Sequence, residues 1–317
     1  MAAASATPLV SINMPVYRQL AHARRAVDTI LAQSFTDFHL TLWDDGQSDD
    51  YREFVDALHD PRVSYCRHPE RLGAMRNMFH AIGAGDGKYT LAFHEDDLVG
   101  VDYLATAVGL LERDPSCGFV AGELREFREE PAAATLARRI DWPAYVTFSS
   151  RADFVRGILG GIEPMFGSIV YRRTAIAGLQ PAHEDYGTLV DRPFLISILE
   201  RWSAIVVREP LVWYRRHNTG DRRHHGMSAD HIVRLMTMYR AALPSPLSDA
   251  DRALFYTYSG YWLFTLYALT PEPQRPSLLS FLLRVWREGL YEPRWRGRFG
   301  LRLLTKALVG SDLRPPA

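Results

Sequence analysis

LVSINMPVYRQLAHARRAVDTILAQSFTDFHLTLWDDG, Leu9 to Gly46, reads as strand, helix, strand. Leu9-Val10-Ser11-Ile12-Asn13-Met14 is a short, mostly apolar run, stopped by Pro15, and reads as a buried strand. Leu20, Ala23, Val27 and Ile30 or Leu31 then recur at helical spacing and give one apolar face. Phe38 to Trp43 is the second strand, and Asp44-Asp45-Gly46 ends it with a turn signal. A helix joining two strands inside about 40 residues is a βαβ unit, whose right-handed crossover makes the strands parallel.

The same alternation continues outward. Tyr51 to Leu58 is predicted helical, Val63 to Cys66 a strand, and Leu72, Met75, Phe79 and Ile82 mark another helix. Tyr89 to Phe93, Val101 to Arg113 and Gly118 to Ala121 follow as strand, helix and strand. Five strands separated by four helices predict an α/β domain with a doubly wound, mostly parallel sheet. Ligands of such sheets bind beyond the carboxyl ends of the strands. The segments to inspect are therefore Pro15-Val16-Tyr17, Asp44-Asp45-Gly46 and His94-Glu95-Asp96-Asp97.

Beyond residue 125 the pattern loosens. Residues 126–160 read as a loop or flap, Gly160 to Tyr171 and Ser203 to His217 as strands, and Arg192 to Glu200 as a helix between them. From residue 226 the chain is helical: Ser228 to Ala242 forms one helix, Leu243 to Asp251 is a Pro-containing linker, and the rest is aromatic-rich helix. Three segments follow: 1–125 with regular alternation, 126–225 with a looser pattern, and 226–317 as a helical extension.

Composition removes several function classes. Lys plus Arg and Asp plus Glu both number 37, and a neutral chain lacks the broad basic surface of a nucleic-acid binder. Two cysteines, Cys66 and Cys117, make no disulfide framework and have no metal-ligand spacing; Cys66, in an apolar alternating run, reads as a buried thiol. Met1 to Thr7 lacks the features of a signal peptide, and no charge-free apolar run reaches the roughly 18 residues of a membrane span. The expectation is a soluble, cytoplasmic protein. Met14 to Gln19 contains no glycine, which excludes the G-x-G-x-x-G loop of a dinucleotide-dependent oxidoreductase and the Gly-rich phosphate loop of a nucleotidyltransferase.

His94-Glu95-Asp96-Asp97 is the chemically loaded segment. Three adjacent carboxylates repel one another unless they take up protons or a cation. Mg²⁺ or Mn²⁺ would relieve them, binding carboxylate oxygens together with substrate phosphates. The plainer alternative is an acidic loop that caps the helix starting near Val101.

Taken together, these segments resemble family 2 glycosyltransferases. Val10 to Tyr17 resembles that family's first strand ending in Pro-x-Tyr, and Ile30 to Phe35 its S-x-L-x-Q-x-aromatic helix end. Leu42 to Ser48 resembles its V-D-D-G-S turn, Gly73 to Asn77 its G-x-x-x-A-R-N helix, and His94 to Asp97 stands in the place of its D-x-D metal motif. The resemblance implies a GT-A fold, with 1–125 as its nucleotide-sugar-binding half and 126–225 as its acceptor-binding and catalytic half, and a metal-dependent, inverting transfer of sugar from a nucleotide-diphosphate donor. The acceptor would be a glycan, a lipid-linked saccharide or another hydroxyl, in polysaccharide or glycoconjugate synthesis. It further implies that Pro15, Val16 and Tyr17 line the base pocket and that Asp45 or Asp44 accepts a hydrogen bond from the base. Arg76 would approach the nucleotide, Asp96 the ribose or metal, and Asp97 the metal, Mn²⁺ or Mg²⁺. The first aspartate of the motif falls on His94 or Glu95; Glu95 still offers a carboxylate, whereas His94 is a poorer ligand for Mg²⁺. That departure sustains one alternative, a degenerate scaffold that binds nucleotide sugars or glycans without turnover.

Sugar transfer also needs a base for the acceptor hydroxyl. His183 to Phe194 supplies Glu184, Asp185 and Asp191, and the resemblance favours Asp191 at the start of its helix, where an Asp followed by Pro193 would equally be a helix cap. Leu211 to His217 resembles the family's late strand ending in Y-R-x-H, which implies that Arg215 and His217 face the diphosphate or metal. A basic loop follows from Asn218 to His225. Farther on, aromatics from Phe255 to Phe299 are interleaved with basic residues from Arg284 onward. This pattern suits core packing, a homodimer interface or peripheral contact with the inner face of an anionic membrane.

Overall fold

The computed structural model describes residues 7–46, 48–139, 143–216, 228–269 and 277–290. In chain order the elements are β1 (Val10–Val16), α1 (Leu20–Leu31), β2 (Phe38–Asp44), α2 (Asp50–Leu58), β3 (Val63–Arg67), α3 (Ala74–Gly83), β4 (Tyr89–Ala92) and β5 (Leu98–Val99). Then come α4 (Tyr103–Arg113), β6 (Cys117–Phe127), α5 (Ala133–Leu136), β7 (Tyr145–Phe148), α6 (Arg151–Leu159), β8 (Val170–Arg172) and α7 (Arg173–Ile176). The last are α8 (His183–Tyr186), α9 (Asp191–Ile198), β9 (Ser203–Arg215), α10 (Ala229–Ala242), α11 (Asp249–Leu269) and α12 (Leu278–Arg287).

The chain divides into two units. One takes in residues 1–149, 163–179 and 198–220; the other takes in 150–162, 180–197 and 221–317. Residues 126–225 therefore contribute to both.

The first unit holds the sheet, in the order β3-β2-β1-β4-β8-β6-β9-β5, with β7 also on β9. β3, β2, β1 and β4 are mutually parallel, as the βαβ pattern requires. The fifth strand of the sequence reading is not their neighbour. β8 intervenes, antiparallel to both β4 and β6, and β9 then runs parallel to β6. The result is a mostly parallel α/β sheet, and Val16, Asp44, Ala92 and Arg215 all stand at one carboxyl edge.

Local chemistry explains the elements. α1 buries Ala23, Ala26, Val27 and Ile30, which join Val10, Ile12, Met14, Leu40 and Leu42 in the core. Each large aliphatic side chain so buried contributes about 1.5–3 kcal/mol. Pro15 does not stop β1. The carbonyl of Asn13 accepts Phe93 N–H (2.9 Å) at the end of the β4 ladder, and residue 15 faces the same way beyond it. The N–H that proline lacks has no partner strand there, so the strand runs on to Val16 along β2.

Other expectations shift. The strand predicted over Gly160 to Tyr171 shortens to Val170–Arg172, and residues 126–160 contain β7 and α6 rather than only a loop. α6 starts where the Ser150 hydroxyl accepts Asp153 N–H at 3.1 Å. Cys117 is the fully buried thiol; Cys66, on the edge strand β3, is only half-buried.

In the second unit α10 contacts α8 and α11, and α11 contacts α6. The Arg156 guanidinium grips Asp251 through two bonds of 2.7 and 3.0 Å. Phe255 and Phe281 are core residues, whereas Leu283 and Trp286 of α12 are exposed. Trp295 and Phe299 lie outside the described residues. No described helix is long and apolar enough to cross a membrane.

Candidate active site at the carboxyl edge

Two buried side chains tie the segments that connect the strands. Gln33, just after α1, donates to the carbonyls of Gly100 (2.8 Å) and Thr29 (3.1 Å) and accepts Leu104 N–H (2.9 Å). Asn77 of α3 donates to the Trp43 carbonyl (3.0 Å) and accepts from His68 (3.0 Å). Both are buried, and both belong to motifs quoted above, so part of the family pattern is scaffold.

The turn after β2 is built from carboxylates. Asp44 accepts Gly46 N–H (2.7 Å) and the Tyr65 hydroxyl (2.7 Å), with Arg67 Nε at 3.6 Å. Burial and the Asp44 carboxylate push the Tyr65 phenol up to about 12. Asp45 accepts Leu72 N–H (2.5 Å) and Gly73 N–H (2.8 Å), one on each oxygen. Gly73 holds a left-handed φ of 82° at the start of α3, a conformation glycine takes without strain. Arg76, one turn along, is exposed. Tyr17 is half-buried, with Arg18 and Arg71 guanidinium carbons 5.0 and 4.6 Å from its ring centroid. An aromatic flanked by two guanidiniums can stack a base and attract a diphosphate. Pro15 and Val16 close β1 beside this ring.

After β4 the chain crosses this edge toward β5. Among the described residues, His94, Asp96 and Asp97 are the group of three whose ligand atoms come within 4.8 Å of one another. Asp97 is fully buried. It accepts the backbone N–H of Arg215 on Oδ1 (2.9 Å), and its Oδ2 lies 2.9 Å from His94 Nδ1. Burial raises its carboxyl above the ordinary range, and the contact with His94 opposes that rise. The donor set suits a divalent ion of the Mn²⁺ class: two carboxylates and one imidazole, at the end of a strand, with protein dipoles fixing Asp97.

Glu95 behaves differently. Its Oε1 accepts Tyr17 N–H (3.0 Å) and its Oε2 accepts the Tyr51 hydroxyl (2.5 Å). Burial pushes this carboxyl up to about 7, against the pull of those two hydrogen bonds. The imidazole, rather than this nearer carboxylate, groups with Asp96 and Asp97.

Arg215 reaches the edge on β9, but its guanidinium is engaged by protein. Nε donates to the Asp96 carbonyl (2.9 Å), and a terminal nitrogen donates to Glu130 (2.9 Å), which also accepts from Arg25 (3.0 Å). His217 and the loop from Asn218 to His225 lie outside the described residues.

The three base candidates lie in the second unit. Glu184 and Asp185 are exposed on α8, and Asp185 pairs with Arg234. Asp191 opens α9 half-buried, 3.4 Å from Arg192 Nε, and burial raises its carboxyl while Arg192 opposes the shift. Sequence reasoning missed Tyr51, Glu130 and Gly167, the last lying so close under the His94 ring that a β-carbon there would meet it. Only Tyr51 carried a visible signal, as a polar tip on the buried face of α2.

Comparison with known proteins places this architecture. The E. coli K12 protein WcaA, provisionally named a colanic acid biosynthesis glycosyl transferase, is 30% identical over 92 residues, 28% of this chain and 33% of WcaA. The chain thus spans about a third or less of the length of such curated relatives. S. aureus TarS 1-349, solved with UDP-GlcNAc, superposes with a TM-score of 0.55 at 12% identity over 96% of this chain and 93% of that one. The mannosyltransferase PcManGT from Pyrobaculum calidifontis, solved with GDP-Man and Mn²⁺, gives a TM-score of 0.54 at 17% identity over 96% and 87%. These likenesses identify the fold as GT-A. The profile of Glycosyl transferase family 2 matches residues 11–176, just over half of the chain. The protein belongs to glycosyl transferase family 2.

Proposed function

We propose that this chain transfers a sugar from a nucleotide-diphosphate donor to an acceptor hydroxyl, with inversion at C1, in polysaccharide or glycoconjugate synthesis. The observation that carries the reading is the grouping of His94, Asp96 and Asp97 within 4.8 Å at the carboxyl edge of a family 2 domain. Those three residues would hold Mn²⁺ or Mg²⁺, and a divalent ion there would neutralise the charge that builds on a departing diphosphate.

The other roles follow from the chain's own groups. Tyr17 stacks the base, with Arg18 and Arg71 beside its ring, and Arg76 approaches the nucleotide. Asp44 and Asp45 hold the turn against which the base sits, each through hydrogen bonds already in place. Asp191 takes the proton of the acceptor hydroxyl as its oxygen bonds to C1 and the bond from C1 to the diphosphate oxygen breaks. The nucleotide sugars bound by TarS and PcManGT, UDP-GlcNAc and GDP-Man, support a donor of that class.

The test is calorimetric titration of the purified protein with UDP, GDP and dTDP, each with and without Mn²⁺. Mn²⁺-dependent binding of one nucleotide, lost in Asp97→Asn, is expected. A folded protein that binds none of them would sink the donor site and leave a degenerate scaffold.

A further inference from the structure

Arg18 has φ 59°, a left-handed conformation that is strained for a side chain of this kind. Something must hold it there, and the hydrogen bonds on either side show what does. The Tyr17 N–H donates to Glu95 Oε1 at 3.0 Å. The Gln19 N–H donates to the Tyr51 hydroxyl at 2.9 Å, and that hydroxyl donates in turn to Glu95 Oε2 at 2.5 Å. The amides flanking the strained residue therefore both end in one buried pair, Tyr51 and Glu95, 3% and 8% exposed.

We propose that Glu95, although it stands inside the metal motif, is a positioning residue: with Tyr51 it clamps residues 17–19 and so fixes Tyr17 and Arg18 for the donor. The inference rests on the donor-site reading above. Both Glu95 oxygens are used by the clamp, and the cation group is completed by His94 instead. The clamp also joins the loop after β1 to the loop after β4, so the base-stacking ring and the cation residues share one rigid support. Tyr51 comes from α2, which no motif of the family resemblance includes.

Three variants and three readouts test this. Tyr51→Phe keeps the ring but removes the hydroxyl; Glu95→Gln can still accept from Tyr17 N–H; Glu95→Ala removes the clamp. Amide hydrogen exchange at Tyr17 and Gln19 is expected to speed up about tenfold or more in Tyr51→Phe, the scale of one lost hydrogen bond. In the same variant the affinity for whichever of UDP, GDP or dTDP binds the parent protein is expected to fall about tenfold. Mn²⁺ affinity, measured without nucleotide by electron paramagnetic resonance, is expected to stay within about twofold in all three variants, since none removes a ligand. Glu95→Gln should restore most of the nucleotide affinity that Glu95→Ala loses.

Unchanged exchange at both amides in Tyr51→Phe overturns the proposal, as does loss of Mn²⁺ binding in Glu95→Ala, which would make Glu95 a ligand. A parent protein that binds no nucleotide overturns the donor reading alone, because the exchange measurement still decides whether the clamp exists.

Discussion

The ring of His94 rests directly on Gly167: a β-carbon built on that glycine would stand 2.5 Å from Nδ1 and 2.7 Å from Cε1. No rearrangement of a flexible chain end relieves such a contact, because the ring is itself held at 2.9 Å from Asp97. Glycine at 167 is thus a condition for the imidazole to join the two aspartates.

From this contact, Gly167→Ala should displace His94 and weaken Mn²⁺ binding by about 10–100-fold, the usual effect of disturbing a ligand's support. Circular dichroism and thermal unfolding should show the fold retained. Parent-like Mn²⁺ affinity in the folded variant would remove His94 from the ligand set.

Asp191 separates a base from a helix cap. Asn caps a helix about as well as Asp, but it accepts no proton. Asp191→Asn should therefore lower turnover by about 10²–10⁴-fold while leaving nucleotide affinity and stability near the parent's. A variant with near-parental turnover would assign Asp191 to capping and pass the role to Asp185 or Glu184.

The second unit should show an acid-sensitive tie. Arg156 holds the Asp251 carboxyl below its ordinary value, chiefly by hydrogen bonding. A carboxyl depressed on folding adds stability that is full at neutral pH and is lost as pH falls through the usual aspartate range toward its lower folded value. Arg156 is itself 37% exposed, so the contribution is discounted for solvent to about 1 kcal/mol. Thermal unfolding from pH 7 to pH 3 should show a shallower acid limb in Asp251→Asn than in the parent. Parallel curves would show that the pair adds nothing.

The parallel half of the sheet was legible because its signals are local. The helical period from Leu20 to Ile30 and the apolar runs of β1, β2 and β4 fix element type, and parallel pairing then puts Tyr17, Asp44 and His94 at one edge. What escaped depends on contacts between distant residues. β8 is three residues long, and nothing within Val170–Arg172 announces that it will insert between β4 and β6. Glu95 resembles its acidic neighbours in sequence and is set apart only by Tyr51, 44 positions away. Gly167 has no motif around it, and its role exists only once His94 lies across it. For α6, by contrast, the Ser150 and Asp153 pair was a readable start signal within the segment taken as a loop.

The placement of β8 also bears on how the chain folds and how it can be cut. β4 is complete by residue 92, yet its outer partner is not synthesised until Val170–Arg172. Until then the first four strands carry a bare row of amides and carbonyls along Tyr89 to Leu91, a template for pairing with any extended chain nearby. A fragment ending near residue 125 keeps most of the proposed donor-site residues but leaves that row open. The segment proposed to bind the nucleotide is accordingly not closed as a sheet on its own: the open side of β4 is covered by three residues that arrive from the other half of the chain.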